Sequence, residues 1–478
     1  MKYSMCFIEI IGISWVIWLD LNDINKNLFS ISEYLIYNKL NLMKNFNKLA
    51  YILLFVFGNS LFAQQEKGIV GDSNWLNNWT EFKPNKKEYS EATQILTGNI
   101  TEDTKLYKRD IYLLLGSVFV TNNATLTIEP GTVIVGDYET KGSLTIASGS
   151  KIIAEGYETD PIVFTSNRDV KKPGDWGGLL ILGKAPYNKY GNGSVAPYYE
   201  SLNGSAYAST NYGGDSVDDN SGVLKYVRIE YAGRRLKKVG YTNGLLLACV
   251  GNQTKVENVM VSYSAGDSFE IWGGDLNLEK LVSYKSNGND FNFNYGTQCK
   301  INNSLAVRSP YASNNEGSRC IKVASYNTKE GIDFSKAGSS IVAKNLTLIN
   351  TSSNIDADID NGLVKECIYV GENTSFDITK SVISGFKKAA LLQETIAINQ
   401  ENLDKIKFTN MHFNNCRGNI FTEYRENNED LEHWYGNVSF FNFYDPTGVD
   451  DQTFIDMRND RRPDFRLRIS KISAASGQ

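Results

Sequence analysis

Short apolar segments with a period of two residues recur along most of the chain. In "TLTIEPGTVIVGD" Leu126 and Ile128 alternate with polar residues, and Leu144 and Ile146 repeat this pattern 18 residues later. Such alternation predicts strands with one buried face, and the Gly, Asn, Ser and Asp residues between the segments predict turns. Amphipathic helical periodicity is nearly absent, so the pattern indicates an all-β chain.

The repeat is clearest in "VSYSAGDSFEIWGGDLNLEKLVSYKSNGNDFNFNYG", residues 261–296. Phe269 recurs as Phe291, and Glu257 recurs as Glu279, each after 22 residues. One such strand cannot bury its apolar face alone, whereas stacked copies can. The spacing predicts a parallel β-helix solenoid of roughly a dozen coils with capping segments at both ends. A β-propeller, with blades of roughly forty residues, is the weaker alternative.

The predicted organisation follows from where this pattern begins and ends. The segments are a non-native upstream extension at 1–42, a signal peptide at 43–63, an N-terminal segment and cap at 64–110, the parallel β-helix at 111–445 with an insert at about 184–221, and a C-terminal cap or tail at 446–478.

The segment that begins at Met43 has the features of a secretory signal peptide. Lys44 and Lys48 supply positive charge, residues 49–57 form an apolar run, and Ala63 ends a small-residue cleavage site. The apolar run is short for a transmembrane helix. We therefore expect an exported protein without a membrane span in the mature chain. It would be secreted or associated with the cell surface or outer membrane, with the periplasm as the alternative.

Composition narrows the class of partner. Hydrophobic residues make up 41% of the chain, which is enough for an extensive core. The net charge is −5, and no sustained stripe of Lys and Arg is present. The chain therefore has no electrostatic footprint for nucleic acid, and we exclude nucleic-acid partners.

The spacing of the cysteines and the small number of histidines are not typical of a metal or redox site. Five cysteines follow the predicted cleavage site, and none forms a C-x-x-C pair. Their apolar neighbours predict buried thiols, with a disulfide between Cys299 and Cys320, about one repeat apart, as the alternative. The only histidines are His412 and His433, so a zinc site is disfavoured. We expect no cofactor, with Ca²⁺ as the alternative.

The repeated strands at 269–272 and 291–294 define the predicted ligand site. If Phe269 points inward, alternation places polar residues of both strands on the opposite face. The residues predicted to share this outward, ligand-binding face are Glu270, Trp272, Asp290 and Asn292. An aromatic side chain flanked by carboxylates and amides is a common way to hold a sugar. The alternative is a solvated outer sheet without a ligand.

Three alternating carboxylates form the weak metal candidate. Asp356, Asp358 and Asp360 in "NIDADIDNG" match the start of a calcium loop. Asn361 replaces the glycine that such a loop needs, and Cys367 stands in place of the bidentate Glu. A solvated face is therefore the favoured interpretation.

Asparagines recur at one point of the repeat. Asn258, Asn303 and Asn345 precede equivalent apolar strands at separations of 45 and 42 residues. We expect them to stand about two coils apart and to form part of an asparagine turn ladder, in which the amides satisfy backbone groups of their own turns.

Several stretches between about residues 95 and 325 resemble one family of proteins. "NATLTIEPGTVIVGD", "GSLTIASGSKIIAEG", "KPGDWGGLLILGKAP" and "LKYVRIEYAG" are similar to segments of secreted or surface-associated parallel β-helix repeat proteins of Gram-negative bacteria. The resemblance implies export and a right-handed β-helix. Members of this family are largely uncharacterised, so the resemblance assigns no catalytic residues.

The chain departs from that family in two places. Relatives carry denser aspartate runs where this chain has Gly266-Asp267-Ser268 and Gly288-Asn289-Asp290, which puts a metal site there in doubt. The C-terminal residues contain nothing that is recognisable as a sorting domain for type IX secretion. Surface display is therefore not implied by the resemblance alone.

An enzyme is the second interpretation, because many parallel β-helix proteins are polysaccharide lyases or hydrolases. Glycoside hydrolysis requires two carboxyl groups about 5–9.5 Å apart. Glu270 and Asp290, on neighbouring coils, are the carboxyl pair of this alternative, and Arg319 and Lys322 are its basic residues.

The sequence thus predicts an exported, non-catalytic β-helix protein. Its expected partner is an extracellular polysaccharide or cell-surface glycan, or it serves as a surface structural component. The alternative is a polysaccharide lyase or glycoside hydrolase that acts on acidic polysaccharide.

Overall fold

The computed structural model describes residues 67–468, except 201, 203, 238, 315–317, 423–427 and 460, and the backbone of an N-terminal hairpin. The hairpin pairs Tyr3–Ile10 with Ile13–Asp20. It belongs to one compact unit, Met1–Gln64, and the second unit is Gln65–Gln478. The predicted signal peptide at 43–63 lies outside the described residues.

The second unit is a right-handed parallel β-helix, as predicted. Each coil contributes a strand to three parallel sheets in turn. The first sheet is 11-stranded, which agrees with roughly a dozen coils. Its strands are Asn99–Ile100, Ser117–Val120, Ser143–Ile146, Gly178–Leu182, Leu245–Ala248, Phe269–Trp272, Phe291–Asn294, Ile321–Val323, Glu366–Val370, Lys388–Leu392 and Ile420–Thr422.

The second and third sheets are joined, because two long strands, Gly222–Glu230 and Lys255–Ser262, run through the corner and belong to both. The other strands of the second sheet are Thr104–Leu106, Thr125–Ile128, Lys151–Glu155, Asp275–Glu279, Gln298–Asn302, Ser340–Lys344, Ser375–Thr379 and Ile406–Thr409. The other strands of the third sheet are Gln94–Leu96, Ile111–Leu114, Val133–Gly136, Ile162–Ser166, Val282–Tyr284, Leu305–Arg308, Thr347–Asn350, Val382–Ser384, His412–Asn414 and Phe443–Asp445.

The remaining elements lie in loops and near the chain ends. The α-helices are Ile355–Asp360, Gln400–Leu403, Asn428–Tyr435 and Asp450–Thr453, and the 3-10 helices are Pro84–Lys86, Ala196–Tyr198, Gly204–Thr210 and Val438–Phe440. The antiparallel pairs are Gly193–Ser194 with Asn211–Tyr212, Arg235–Leu236 with Gly240–Tyr241, and Phe454–Asp456 with Asp464–Leu467.

The core fills the space between the three sheets, where identical positions stack from coil to coil. Phe269 and Phe291 are directly opposite each other in the first sheet, and their rings stack with centroids 5.4 Å apart. Both side chains are almost completely buried. This confirms the 22-residue offset as one coil, since each repeat brings the same residue type to the same place.

The corner between the second and third sheets is made by one residue in the left-handed conformation. Asn258, Asn303 and Asn345 occupy it with φ of 51°, 48° and 55°. Asparagine tolerates this conformation better than most residues. Asn303 and Asn345 are on adjacent coils, because Gln298–Asn302 pairs directly with Ser340–Lys344. The expected two-coil separation is therefore wrong for this pair.

The amides of Asn303 and Asn345 bind the N-terminal segment of this unit rather than only their own turns. Asn303 Nδ2 donates to Val70 O at 2.9 Å, and its Oδ1 accepts from Val70 N at 2.8 Å. Asn345 Nδ2 donates to Gly68 O at 3.2 Å. These hydrogen bonds fasten the N-terminal segment along the corner of the solenoid.

Within the second unit, the segment 69–82 and the C-terminal hairpin cover the outer face of the third sheet. One apolar cluster joins the N-terminal segment, the sheet and the C-terminal hairpin. Its members are Ile69, Leu76, Trp79, Phe82, Met260, Val282, Leu305, Val307, Ile349, Val382, Phe454, Phe465 and Leu467. These segments lie along the side of the solenoid, and the first coil begins with Gln94–Leu96, before the predicted start at residue 111.

The insert lies between the strands Gly178–Leu182 and Gly222–Glu230 and packs on the outer face of the first sheet. Its aromatic residues cover apolar side chains of three coils. The cluster contains Phe119, Leu180, Leu182, Tyr187, Val195, Tyr199, Tyr212, Leu246, Ala248 and Cys249. The insert therefore shields the outer face of these coils.

The cysteines of the described residues are all buried and free. Cys299 is on a strand of the second sheet, whereas Cys320 precedes a strand of the first sheet. The alternative disulfide between them is therefore not formed. Cys320 instead lies beside Cys367 of the next coil, since Cys320 N donates to Cys367 O at 2.9 Å.

Candidate functional site

One outward column of the first sheet carries the polar residues of interest. Strand register aligns Leu246, Glu270, Asn292, Lys322 and Tyr369 on successive coils. Their neighbours in sequence, such as Phe269 and Ile271, point into the core. Alternation along the strands therefore produces this face, as the sequence pattern predicts for Glu270 and Asn292.

Glu270 stands where the insert meets the sheet. Asn243 Nδ2 donates to Glu270 Oε2, and Asn292 Nδ2 approaches Oε1 at 3.4 Å. Burial and the negative charge of Asp267 together raise the pKa of Glu270 to about 8, against the lowering effects of the hydrogen bonds from Trp272 and Asn243 and of the charge of Lys322. Burial therefore favours the protonated form of Glu270.

Asp267, which the sequence did not single out as a site residue, is the second carboxyl group here. Its Oδ1 accepts from Asn289 N at 2.6 Å and from Asn289 Nδ2 at 3.1 Å, and its Oδ2 accepts from Asn292 Nδ2 at 2.7 Å. Burial raises the pKa of Asp267 above its ordinary value, and hydrogen bonds from Asn292 and Asn289 and the charge of Lys322 offset this only in part. The only sequence signal was its place in the repeated Gly266-Asp267 and Gly288-Asn289 pairs.

Trp272 points outward as predicted, but its ring is not an open platform. Tyr212 lies 5.7 Å away, and Tyr198 and Tyr295 lie 6.0 Å away, measured between ring centroids. Tyr198 and Tyr212 belong to the insert. Trp272 therefore forms the base of an aromatic cluster, and a sugar cannot stack on the whole ring while the insert is in place.

Asp290 does not share the outward face, which corrects the prediction. Its side chain is fully buried, and Arg308 Nη1 lies 3.0 Å from Asp290 Oδ2. Burial raises the pKa of Asp290, and the adjacent Arg308 guanidinium lowers it. Asp290 lies at a corner of the coil, where the strand alternation that the prediction assumed has not yet begun.

Arg319 and Lys322 have separate roles. Arg319 Nε donates to Glu366 Oε1 at 2.6 Å, and its guanidinium lies 4.9 Å from the centroid of the Tyr369 ring. Lys322 stands between Asn292 and Tyr369 in the outward column. Of the four residues in the enzyme alternative, only Glu270 and Lys322 therefore share a face.

A cleft of about 270 Å³ opens on the same sheet beside Lys322, beyond the edge of the insert. Its floor and walls combine aromatic, amide and charged side chains. The lining residues are Lys322, Ala324, Tyr326, Asn327, Thr328, Lys329, Tyr369, Glu372 and Gln393. Strand alternation does not predict this cleft, because most of its wall is the loop 324–329 that follows the strand Ile321–Val323.

One buried polar atom beside Glu270, the acceptor Asn292 Oδ1, lacks a hydrogen-bond partner among the described residues. Buried polar atoms are normally paired, so unpaired ones indicate a place for water or a ligand. Register places Asn292 and Trp272 as diagonal neighbours on adjacent coils.

The weak metal candidates are not arranged as a site. Asp356, Asp358 and Asp360 lie on the short helix Ile355–Asp360 rather than on a strand. Asp356 pairs with Arg417, and Asp358 accepts a hydrogen bond from Ser352. In the described part of the chain, no group of three or more His, Cys, Asp and Glu side chains is placed to hold a metal ion.

Comparison with known proteins identifies the kind of domain. A protein-family model described as a pectate-lyase-like β-helix domain matches residues 98–442. No curated protein sequence matches the chain. Across the described residues, no helix has the length and apolar character needed to cross a membrane.

Two solved structures illustrate the structural similarity. Pectate lyase Pel9A is 12% identical with a TM-score of 0.33, and the match covers 72% of this chain and 81% of Pel9A. The catalytic domain of a GH87 α-1,3-glucanase in complex with nigerose is 11% identical with a TM-score of 0.29, covering 68% of this chain and 66% of that one. These similarities concern the path of the chain only.

Proposed function

The chain belongs to the family of pectate-lyase-like β-helix domains, and from this premise we propose that it binds a polysaccharide in the cleft beside Lys322. The observation that carries the proposal is the composition of the cleft. Tyr326 and Tyr369 supply aromatic surface, and Asn327 and Gln393 supply amide groups. Aromatic rings that pack on sugar rings, together with amides that bind hydroxyl groups, are typical of carbohydrate sites.

The position of the cleft also supports a chain-like ligand. It lies on the outward face of a sheet whose strands repeat from coil to coil, and Lys322 connects it with Asn292 and Glu270 on the preceding coils. A polysaccharide that runs along this column contacts several coils at once. Lys322 and Lys329 place positive charge in the cleft, which favours sugars that carry carboxylate groups.

Glu372 limits this positive charge. Lys329 Nζ lies 3.0 Å from Glu372 Oε1, so these two groups largely neutralise each other. Lys322 Nζ donates to Asn327 Oδ1 at 3.4 Å and has no such carboxylate partner within the cleft. Lys322 is therefore the residue that we expect to bind the carboxylate group of a uronate sugar.

We propose that the protein works outside the cytoplasm, on extracellular polysaccharide or cell-surface glycan. The support is the Met43–Ala63 segment, whose charged, apolar and small-residue regions follow the order of a secretory signal. Detection of a mature chain that starts at Gln64 in the medium or envelope fraction supports export. A chain that retains Met43 in the cytoplasm overturns it.

Binding is tested with a glycan array and with soluble polygalacturonate, alginate, xylan and α-1,3-glucan. Tyr369→Ala and Tyr326→Ala are expected to weaken binding about tenfold or more, because each removes aromatic contact with the sugar. Tyr157→Ala is the matched control, since Tyr157 is 62% exposed and lies outside the cleft. If no glycan binds, the result favours a structural surface component. If Tyr157→Ala weakens binding as much as the cleft variants do, the cleft is not the binding site.

A further inference from the structure

Asp267 and Glu270 form a close carboxyl pair at the end of the outward column. Asn292 Nδ2 lies 2.7 Å from Asp267 Oδ2 and 3.4 Å from Glu270 Oε1. Because both oxygens lie on one amide nitrogen, they are at most about 6 Å apart, a range that includes the separation of about 5–5.5 Å at which two carboxyl groups cleave glycosidic bonds with retention.

The two carboxyl groups have unequal surroundings. Asp267 accepts hydrogen bonds from three N–H donors, which stabilise its ionised form. Glu270 is held by Asn243, by Trp272 and by the longer contact with Asn292. Burial raises the pKa of both carboxyl groups, that of Glu270 to about 8. Asp267, with its three N–H donors, is therefore the group whose ionised form is better stabilised, as a nucleophile requires, and Glu270 is the group suited to carry a proton.

An independent observation points to a hydroxyl-bearing ligand at the same place. Asn292 is 95% buried, since its side chain is only 5% exposed, and its Oδ1 has no hydrogen-bond partner. A hydroxyl group can donate to this oxygen, and a sugar presents several such groups.

We propose that Asp267 and Glu270 are the nucleophile and the acid/base of a glycoside-hydrolysing site that acts on the polysaccharide held in the adjacent cleft. This inference rests on the proposed function. Asp267, rather than the Asp290 of the sequence-based alternative, is the partner of Glu270, because Arg308 holds Asp290 inside the coil. Asn292 is the residue that positions both carboxyl groups.

The reaction balances with water alone. In the first step Glu270 gives its proton to the glycosidic oxygen, the bond from that oxygen to the anomeric carbon breaks, and an Asp267 oxygen bonds to the anomeric carbon. In the second step water gives a proton to Glu270, its oxygen bonds to the anomeric carbon, and Asp267 leaves as a carboxylate. One water is consumed and one new reducing end forms for each bond cleaved.

The test incubates the exported chain with the polysaccharides of the binding screen and measures release of reducing ends. Glu270→Gln and Asp267→Asn are expected to lower release about 100-fold or more while binding in the cleft persists. Glu279→Gln is the control, because Glu279 lies on the same coil, has a side chain that is 49% exposed and is outside the site. Circular dichroism shows whether each variant is folded. If Asp267→Asn is not folded, Asp267→Glu takes its place in the test.

A second readout separates chemistry from structure. If Glu270 is the acid/base, azide added to Glu270→Ala restores turnover and yields a glycosyl azide in place of the hydrolysed sugar. Binding without release overturns this inference and leaves the proposed binding function intact. Neither binding nor release overturns both, and release that persists in folded Glu270→Gln overturns the assignment of this pair.

Discussion

Arg308 Nη1 lies 3.0 Å from Asp290 Oδ2, and both side chains are enclosed by the coil, with 3% and 0% of their surface exposed. The same nitrogen donates to Gly288 O at 2.9 Å, and Arg308 Nη2 donates to Ser286 O at 3.2 Å. The guanidinium thus joins the carboxylate to the turn that precedes the strand Phe291–Asn294. This ion pair shapes the loop beside the candidate site without reaching the ligand face.

Removal of either partner of this pair is expected to destabilise the protein strongly. Arg308→Met leaves a buried carboxylate without its cation, and Asp290→Asn leaves a buried guanidinium without its anion, each at a cost of about 3–5 kcal/mol. The double variant is expected to lose less than the sum, since neither charge remains alone. Thermal unfolding followed by circular dichroism measures this, and additive losses contradict the coupling.

Stability is expected to fall as pH rises between about 4.5 and 8 because of Glu270. Its pKa is about 8 in the folded chain, above the ordinary value of 4.5, so the folded state binds the proton more tightly than the unfolded state. The stabilising effect of that proton is complete at low pH and is lost as pH rises through the folded-state pKa. In Glu270→Gln this part of the dependence is expected to vanish, as measured by thermal midpoints across the pH range. A parallel curve for the variant argues against a raised pKa.

Asn303 and Asn258 provide a matched pair of variants that tests whether Asn303 fastens the N-terminal segment to the solenoid. Asn303→Ala removes both hydrogen bonds to Val70 and a residue suited to the left-handed conformation. Asn258→Ala removes only a residue suited to the left-handed conformation, since no hydrogen bond joins Asn258 to the described part of that segment. Asn303→Ala is therefore expected to cost about 1–3 kcal/mol more than Asn258→Ala. Limited proteolysis of the N-terminal segment provides a second measurement, and equal sensitivity in both variants contradicts the fastening role.

The cysteines of the β-helix are expected to be unreactive in the native protein. All five are buried, and burial raises the pKa of the Cys416 thiol to about 12. Few thiolates therefore form, and reagents cannot reach them. A thiol-specific chromophoric reagent should label them only after denaturation. Rapid labelling of the folded chain, or a mass that indicates a disulfide, contradicts this prediction.

The coil architecture can be predicted from the sequence alone, because the repeat consists of a local alternation of apolar and polar residues. The match of Phe269 with Phe291 at 22 residues placed two strands in register and assigned Glu270 and Asn292 to the outer face, and the structure confirms that register. Alternation is a property of neighbouring residues, so it can be read without knowledge of distant contacts.

Tertiary structure decided which residues form the site. Asp290 turns inward because Arg308, from the next coil, lies within reach, and Trp272 is covered because the insert folds back over its strand. Asp267 joins Glu270 only because Asn289 and Asn292 of the following coil orient it. These outcomes depend on contacts between residues distant in sequence, at corners and loops where strand periodicity no longer applies.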